Sequence, residues 1–248
     1  MSSTPEPTST ATSGTTRLTQ AALVAALETT RLVPVVVASG AEEGLNLAAA
    51  LLRGHLPVAE VTLRLPGAVD AIAAIAEDFP EVVVGAGTVV RVEQVDEAVA
   101  AGAQFLVSPG LSEAVVERAR ELDVPIVPGV ATPSDIMRAV ALGIDVVKLF
   151  PAKTLGGPGA VKALAAPFPG LRFLPTGGIG ADDLGDYLMI EQVVAVGGSW
   201  MVDRALVQGE DWDEVSRRSR AAVDLAERVI AARPQPHPAD DAATGARA

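Results

Sequence analysis

VPVVVASGAEEGLNLAAALLRGHLPVAEVTL, residues 33–63, carries the pattern on which the fold is read. An apolar, β-branched run at 33–37 leads into an Ala/Leu-rich stretch with helical spacing, and a second apolar run closes the unit at 58–63. Such runs are too short for helices and apolar throughout, as parallel strands covered on both faces should be. The unit then recurs. Further runs stand at 81–86 (EVVVGA), 104–108 (QFLVS), 124–128 (VPIVP), 145–149 (DVVKL), 171–175 (LRFLP) and 193–197 (VVAVG). Their starts are 25, 23, 23, 20, 21, 26 and 22 residues apart, counting from Val33. Helix signals fill the gaps: Ser39 before AEEGLNLAAALLRG, Ser112 before EAVVERARELD, and Pro133 in the first turn of SDIMRAVALG. Gly143 stands just past the end of that helix, and Gly54 and Gly102 close others in the same manner. Eight strand–helix repeats predict a single (β/α)8 TIM barrel over residues 17–232. A doubly wound sheet is the rival, but it would carry a Gly-rich fingerprint after its first strand, and none stands there.

Outward from the repeats, residues 18–29 read as a short helix over the barrel's closed end, and 211–232 as one long amphipathic helix. The Ser/Thr/Pro leader at 1–16 and the Pro/Ala/Asp-rich tail at 233–248 offer nothing to bury and are expected to be disordered flanks. The 248 residues are 49% hydrophobic but only 3% aromatic, so the core must be built from Ala, Val, Leu and Ile. A formal charge of −12 repels phosphate backbones and argues against a nucleic-acid binder. The absence of cysteine removes disulfides, thiolate metal sites and thiol nucleophiles together. Two histidines, His55 in a turn and His237 in the tail, are too few for a multi-His metal site. No stretch is long enough to span a membrane, and no basic-then-apolar leader is present, so a soluble, cytoplasmic protein is expected.

Active sites of such barrels gather at the C-terminal ends of the strands. The polar and glycine residues at those positions are Glu60, Thr62 and Arg64; Gly85 to Thr88; Ser108-Pro109-Gly110; Pro128-Gly129; Lys148 with Phe150; Thr176-Gly177-Gly178; and Gly197-Gly198-Ser199. Lys148 is the most informative, because of three lysines it alone is set in an apolar strand, IDVVKLF. Burying an ammonium is costly, so it either pairs with a carboxylate or gives up its proton. Two roles fit: a structural cation, or an amine nucleophile that forms a Schiff base with a carbonyl substrate. Glu60, Thr62 and Arg64 follow strand spacing and point to one side. The Glu and Arg either neutralise one another, or the Arg offers a fork to a substrate carboxylate while the Glu shuttles protons. Two Gly-Gly turns after the seventh and eighth strands, each beside Thr or Ser, suggest a phosphate site. Trp200 and Met201 read as packing residues.

Seven segments in this order resemble the 2-keto-3-deoxy-6-phosphogluconate (KDPG) and 4-hydroxy-2-oxoglutarate (KHG) aldolases, class I pyruvate aldolases. They are EVTLR at 60–64, VGAGTV at 84–89, SPGL at 108–111, VPGVATPSD at 127–135, VKLFPA at 147–152, FLPTGGI at 173–179 and VGGSWMV at 196–202. The resemblance implies a (β/α)8 barrel that works as a homotrimer, needs no metal or cofactor, and cleaves KDPG to pyruvate and glyceraldehyde 3-phosphate in the Entner–Doudoroff pathway. It implies Lys148 as the Schiff-base lysine, Glu60 as the proton-transfer group and Arg64 on the pyruvyl carboxylate. Thr88 would stand beside pyruvate and Thr176 would contact the sugar-derived part. Gly177, Gly178, Gly198 and Ser199 would cradle phosphate, and Phe150 and Pro109 would line the pocket. Alternatives of the same chemistry are KHG or the galactonate epimer as substrate; those of another class are a metal-free phosphate-binding isomerase or synthase, or a non-catalytic assembly protein. Relatives commonly carry a basic residue where Ala38-Ser39 stands, and some an acidic one where Lys153 stands.

Overall fold

A computed structural model describes residues 18–233, so the expected flanks lie outside the described residues, except for Arg233. That residue is tied down: its guanidinium donates to the carbonyls of Leu188 and Ile190.

Strands and helices alternate as the repeats predict. β1 is Leu32–Val36, β2 Val58–Thr62, β3 Val83–Gly87, β4 Phe105–Val107, β5 Ile126–Val127, β6 Gly129–Val130, β7 Val146–Leu149, β8 Arg172–Pro175 and β9 Val196–Gly198. Helix α1 (Gln20–Thr30) precedes them. Between them run α2 (Ala41–Arg53), α3 (Ala68–Asp78), α4 (Val92–Ala100), α5 (Glu113–Glu121), α6 (Pro133–Ala141), α7 (Gly157–Ala165) and the short α8 (Leu184–Leu188); α9 (Arg204–Gln208) and α10 (Trp212–Ala231) follow. All pairing is parallel, in two ladders, β5-β4-β3-β2-β1-β9 and β6-β7-β8. The result is an α/β fold around a curled parallel sheet.

An unbroken eight-stranded ladder, as the repeats suggest, is not what the pairing gives. The run at 124–128 is split at Pro128, whose nitrogen has no hydrogen to donate. Its carbonyl still accepts from the Lys148 N–H at 2.9 Å, so the chain passes there from one ladder to the other. On the opposite side the ladders meet through single bridges, Phe173 to Val193 and Thr176 to Gly197.

The helices are built as their sequences suggest, with two differences of detail. At α6, Thr132 accepts from the Asp135 N–H and Asp135 from the Thr132 N–H, a reciprocal cap just before Pro133. At α2 the cap is Gly40; Ser39 contributes its backbone N–H, which donates to Glu43 at 2.6 Å. The second difference concerns the closing glycines. Gly102 (φ 91°) and Gly143 (φ 72°) take the left-handed conformation, whereas Gly54 has φ −80°. Gly54 is needed for space: a Cβ there would lie 2.5 Å from Ser219 Cβ and 2.8 Å from the Ser216 carbonyl, where α10 crosses α2. Gly54→Ala is expected to cost about 1–3 kcal/mol by forcing these helices apart, read as a lower urea midpoint at unchanged slope.

Helix α1 lies over the N-terminal ends of the strands. Leu23 and Leu27 are buried, and Gln20 donates to Asp145, just before β7, at 3.0 Å. At the start of α10, Glu214 accepts from Arg217 and Arg218, which hold its carboxyl well below the ordinary 4.5, at about 2. Because the folded value is depressed, this contribution to stability is present above about pH 4.5 and is lost as pH falls toward about 2. A carboxyl-detected NMR titration should find the Glu214 midpoint near 2, moving back up in an Arg217→Ala, Arg218→Ala protein.

Candidate active site

The centre of the site is an ion pair in the interior. Lys148, in β7, places its Nζ 3.1 Å from Glu60 Oε1, in β2, across the curled sheet. Glu60 is fully buried and Lys148 is 5% exposed. The carboxylate partner that a buried lysine calls for is therefore present. The other carboxylate oxygen, Glu60 Oε2, is also buried and accepts no hydrogen bond among the described residues. An acceptor left in that condition is costly for a structural group and useful for one that must take a proton. The Lys148 ammonium also stands 5.4 Å from the centroid of the Phe150 ring.

A backbone glycine makes the room for this pair. A Cβ on Gly87 would sit 2.3 Å from Glu60 Oε1 and 2.6 Å from Glu60 Cγ. At Gly85 it would strike the Phe105 ring at 2.5 Å. Gly87 is a site residue that reading for reactive side chains passes over. The signal that finds it is the i, i+2 spacing of Gly85 and Gly87, which puts both on one face of β3, in register with Glu60 and Thr62 of β2.

Arg64 and Thr88 come together at the rim, with Arg64 Nε donating to Thr88 Oγ1 at 3.4 Å. The expected one-sided strand through Glu60, Thr62 and Arg64 is shorter than its spacing suggests. β2 ends at Thr62, and the Arg64 N–H turns back to the Thr62 carbonyl at 2.7 Å, so Arg64 leaves the strand and is exposed. Thr62 is buried and spends its hydroxyl on the Val36 carbonyl of the neighbouring strand, at 2.8 Å.

The two Gly-Gly turns do different work. Gly177 (φ 104°) and Gly178 (φ 74°) take backbone conformations that L side chains rarely adopt. Gly197 and Gly198 are there for space: a Cβ would meet Thr176 Oγ1 at 2.2 Å and the Trp200 ring at 1.8 Å. Thr176 is buried, its carbonyl accepts from the Ala152 N–H, and it bridges Gly197, so it ties the end of β8 to β9. The Phe150 ring lies 3.1 Å from where a Gly177 Cβ would be, which joins the Lys148 strand to that turn. Pro109 abuts Gly129, the register partner of Lys148. Ser199 is exposed beside Gly198. The predicted residues therefore form one contiguous patch at the C-terminal ends of the strands. Among the described residues no three His, Cys, Asp or Glu side chains gather as metal ligands.

A second pair borders the patch. Lys153 donates to Asp183 Oδ2 at 3.0 Å, and the Gly180 N–H donates to the same oxygen at 3.1 Å. These bonds, the lysine first, hold the Asp183 carboxyl below its ordinary range. Asp183 has no counterpart in the sequence reading, since it lies 30 residues from its partner.

The family model described as "Aldolase: KDPG and KHG aldolase" matches residues 23–218. A KHG/KDPG aldolase of Escherichia coli is 43% identical over 198 residues, which cover 80% of this chain and 93% of that protein. A 2-dehydro-3-deoxy-phosphogluconate aldolase of Treponema pallidum is 44% identical over 200 residues, 81% of this chain and 95% of its own. The crystal structure of a KDPG aldolase from Legionella pneumophila, with pyruvate captured as a covalent carbinolamine, superposes with a TM-score of 0.78 at 36% identity, covering 80% of this chain and 97% of that one. The chain belongs to the KDPG and KHG aldolase family.

Proposed function

We propose that this chain is a class I aldolase that cleaves KDPG to pyruvate and glyceraldehyde 3-phosphate through a Schiff base on Lys148. The observation that carries the reading is the buried Lys148–Glu60 pair at 3.1 Å, with Glu60 Oε2 free to accept. Lys148 passes a proton to Glu60, and its Nζ attacks the C2 ketone to give a carbinolamine, which loses water to form an iminium. Deprotonation of the C4 hydroxyl then breaks the C3–C4 bond. The electron pair enters the iminium, the aldehyde leaves, and an enamine of pyruvate remains. Protonation at C3 and addition of water release pyruvate and restore Lys148. Arg64, held near Thr88, binds the pyruvyl carboxylate. Thr176 meets the sugar-derived part, Phe150 and Pro109 wall the pocket, and Gly177, Gly178, Gly198 and Ser199 receive the phosphate.

The same reading takes residues 17–232 as one domain and the two ladders as one closed (β/α)8 barrel, supported by the bridges that join β8 to the β9 side. It takes the working form as a homotrimer, supported by exposed apolar residues such as Met137 and Val140, one turn apart on α6. It places the enzyme in the cytoplasm, where a phosphorylated sugar acid, too highly charged to cross a bilayer, is made and used. KHG is a second substrate reading, favoured by the double name of the Escherichia coli relative. The test is borohydride reduction with pyruvate in the presence of EDTA, followed by peptide mass spectrometry. A reduced adduct on Lys148 supports the reading; a folded protein with no adduct overturns it in favour of an isomerase-type barrel.

A further inference from the structure

Lys153 stands outside the chemistry described above yet is fastened to the turn that receives the phosphate. Its N–H donates to the Gly177 carbonyl at 3.1 Å. Its stem runs along Gly178: from the place a Gly178 Cβ would occupy, Lys153 Cβ is 3.0 Å away and Cδ 3.4 Å. The ammonium lies two bonds beyond Cδ, at Asp183 Oδ2, the oxygen that also accepts from the Gly180 N–H just past the turn. There it is bound to Asp183 on one side only, and the Lys153 side chain remains 57% exposed. Asp182, the neighbour of Asp183, is exposed and adds a second negative charge to the same short segment. The whole chain carries a formal charge of −12, so a multiply charged anion entering here depends on local cations. At the pyruvyl end Arg64 is that cation; at the Gly177–Gly178 end it is Lys153.

We propose that Lys153 is a specificity-determining residue for the phosphorylated end of the substrate, and that it exchanges Asp183 for the substrate phosphate on binding. Asp183 keeps the ammonium beside the turn in the free enzyme and competes with the phosphate for it. The inference rests on the aldolase reading and adds a residue to it. Beyond the backbone amides, a phosphate dianion gains an exposed ammonium beside the turn, compact and strongly hydrated as lysine's is.

The experiment compares cleavage of KDPG with cleavage of the same keto sugar acid lacking its phosphate, in wild type, Lys153→Met, Lys153→Arg and Asp183→Asn. Lys153→Met should lower the phosphorylated-to-unphosphorylated ratio of kcat/KM about tenfold, mostly through KM, and flatten the salt dependence of the KDPG reaction. Lys153→Arg should recover most of the ratio, and Asp183→Asn should raise it by removing the competitor. A ratio unchanged in Lys153→Met overturns the proposal. So does a loss of Tm in both the Lys153→Met and Asp183→Asn proteins with the ratio unmoved, which would make the pair a structural tie between loops. Trapping of pyruvate on Lys148 is run on every protein as a separate readout. If wild type traps no pyruvate, the aldolase reading has failed and this one falls with it; if it traps pyruvate and the ratio does not move, only Lys153 is removed.

Discussion

Lys148→Ala should abolish borohydride capture of pyruvate and lower KDPG cleavage by at least about a thousandfold, because among the described residues no other lysine is buried beside Glu60. Among the described residues the chain's other lysines, Lys153 and Lys162, are exposed, one bound to Asp183 and the other on α7. The variant should fold, although removing the ammonium leaves Glu60 buried without its partner. Breaking a buried pair costs on the order of 3–5 kcal/mol, so a lower unfolding midpoint is also expected. The two effects separate cleanly: circular dichroism and urea titration report folding, and mass spectrometry reports the adduct. Near-normal cleavage by folded Lys148→Ala protein would end the Schiff-base mechanism for this chain.

Glu60→Gln should slow turnover by about a hundredfold to ten-thousandfold while changing pyruvate affinity much less. The amide nearly preserves the volume that Gly87 leaves open, so the pocket keeps its shape, but it cannot take up a proton. The discriminating measurement is the exchange of pyruvate methyl protons with deuterium, followed by NMR, alongside trapping on Lys148. Exchange should fall with kcat, while the adduct still forms slowly. If exchange and turnover both stay at wild-type rates, Glu60 is only the counter-ion of Lys148 and the proton shuttle lies elsewhere.

Much of this arrangement was legible in the sequence, and the part that was not has identifiable causes. Strand positions followed from short β-branched runs, because burial on both faces leaves no polar alternation to confuse the period. Lys148 stood out because a charge inside such a run demands an explanation. The sequence calls for a carboxylate partner of Lys148 without naming Glu60 in an ion pair, since an 88-residue separation carries no local signal. The split at Pro128 is not legible because a proline at a strand end looks like punctuation, whereas here its carbonyl serves the next ladder. Arg64 looks like part of a continuing strand because alternation persists in the sequence past Thr62, where β2 ends. Gly54 looks like a helix-closing residue and Gly197 like part of a turn, yet the first is required by Ser219 on α10 and the second by Thr176. Residue type reveals conformational freedom; it does not reveal a neighbour tens of residues away.

The glycine facing the carboxylate has a consequence for how this enzyme would look to a genetic screen. Gly87 has no reactive atom, yet any side chain there would occupy the volume of Glu60 itself. In a saturation library selected for growth, position 87 should therefore be as intolerant as positions 60 and 148, and Gly197 should follow for the sake of Thr176. A map of intolerance would draw an active site richer in chemistry than it is. The surplus would be empty space held open by the main chain, and the way to recognise it is that a shorter residue at 60, such as Asp, should partly restore folding to Gly87→Ala without restoring turnover.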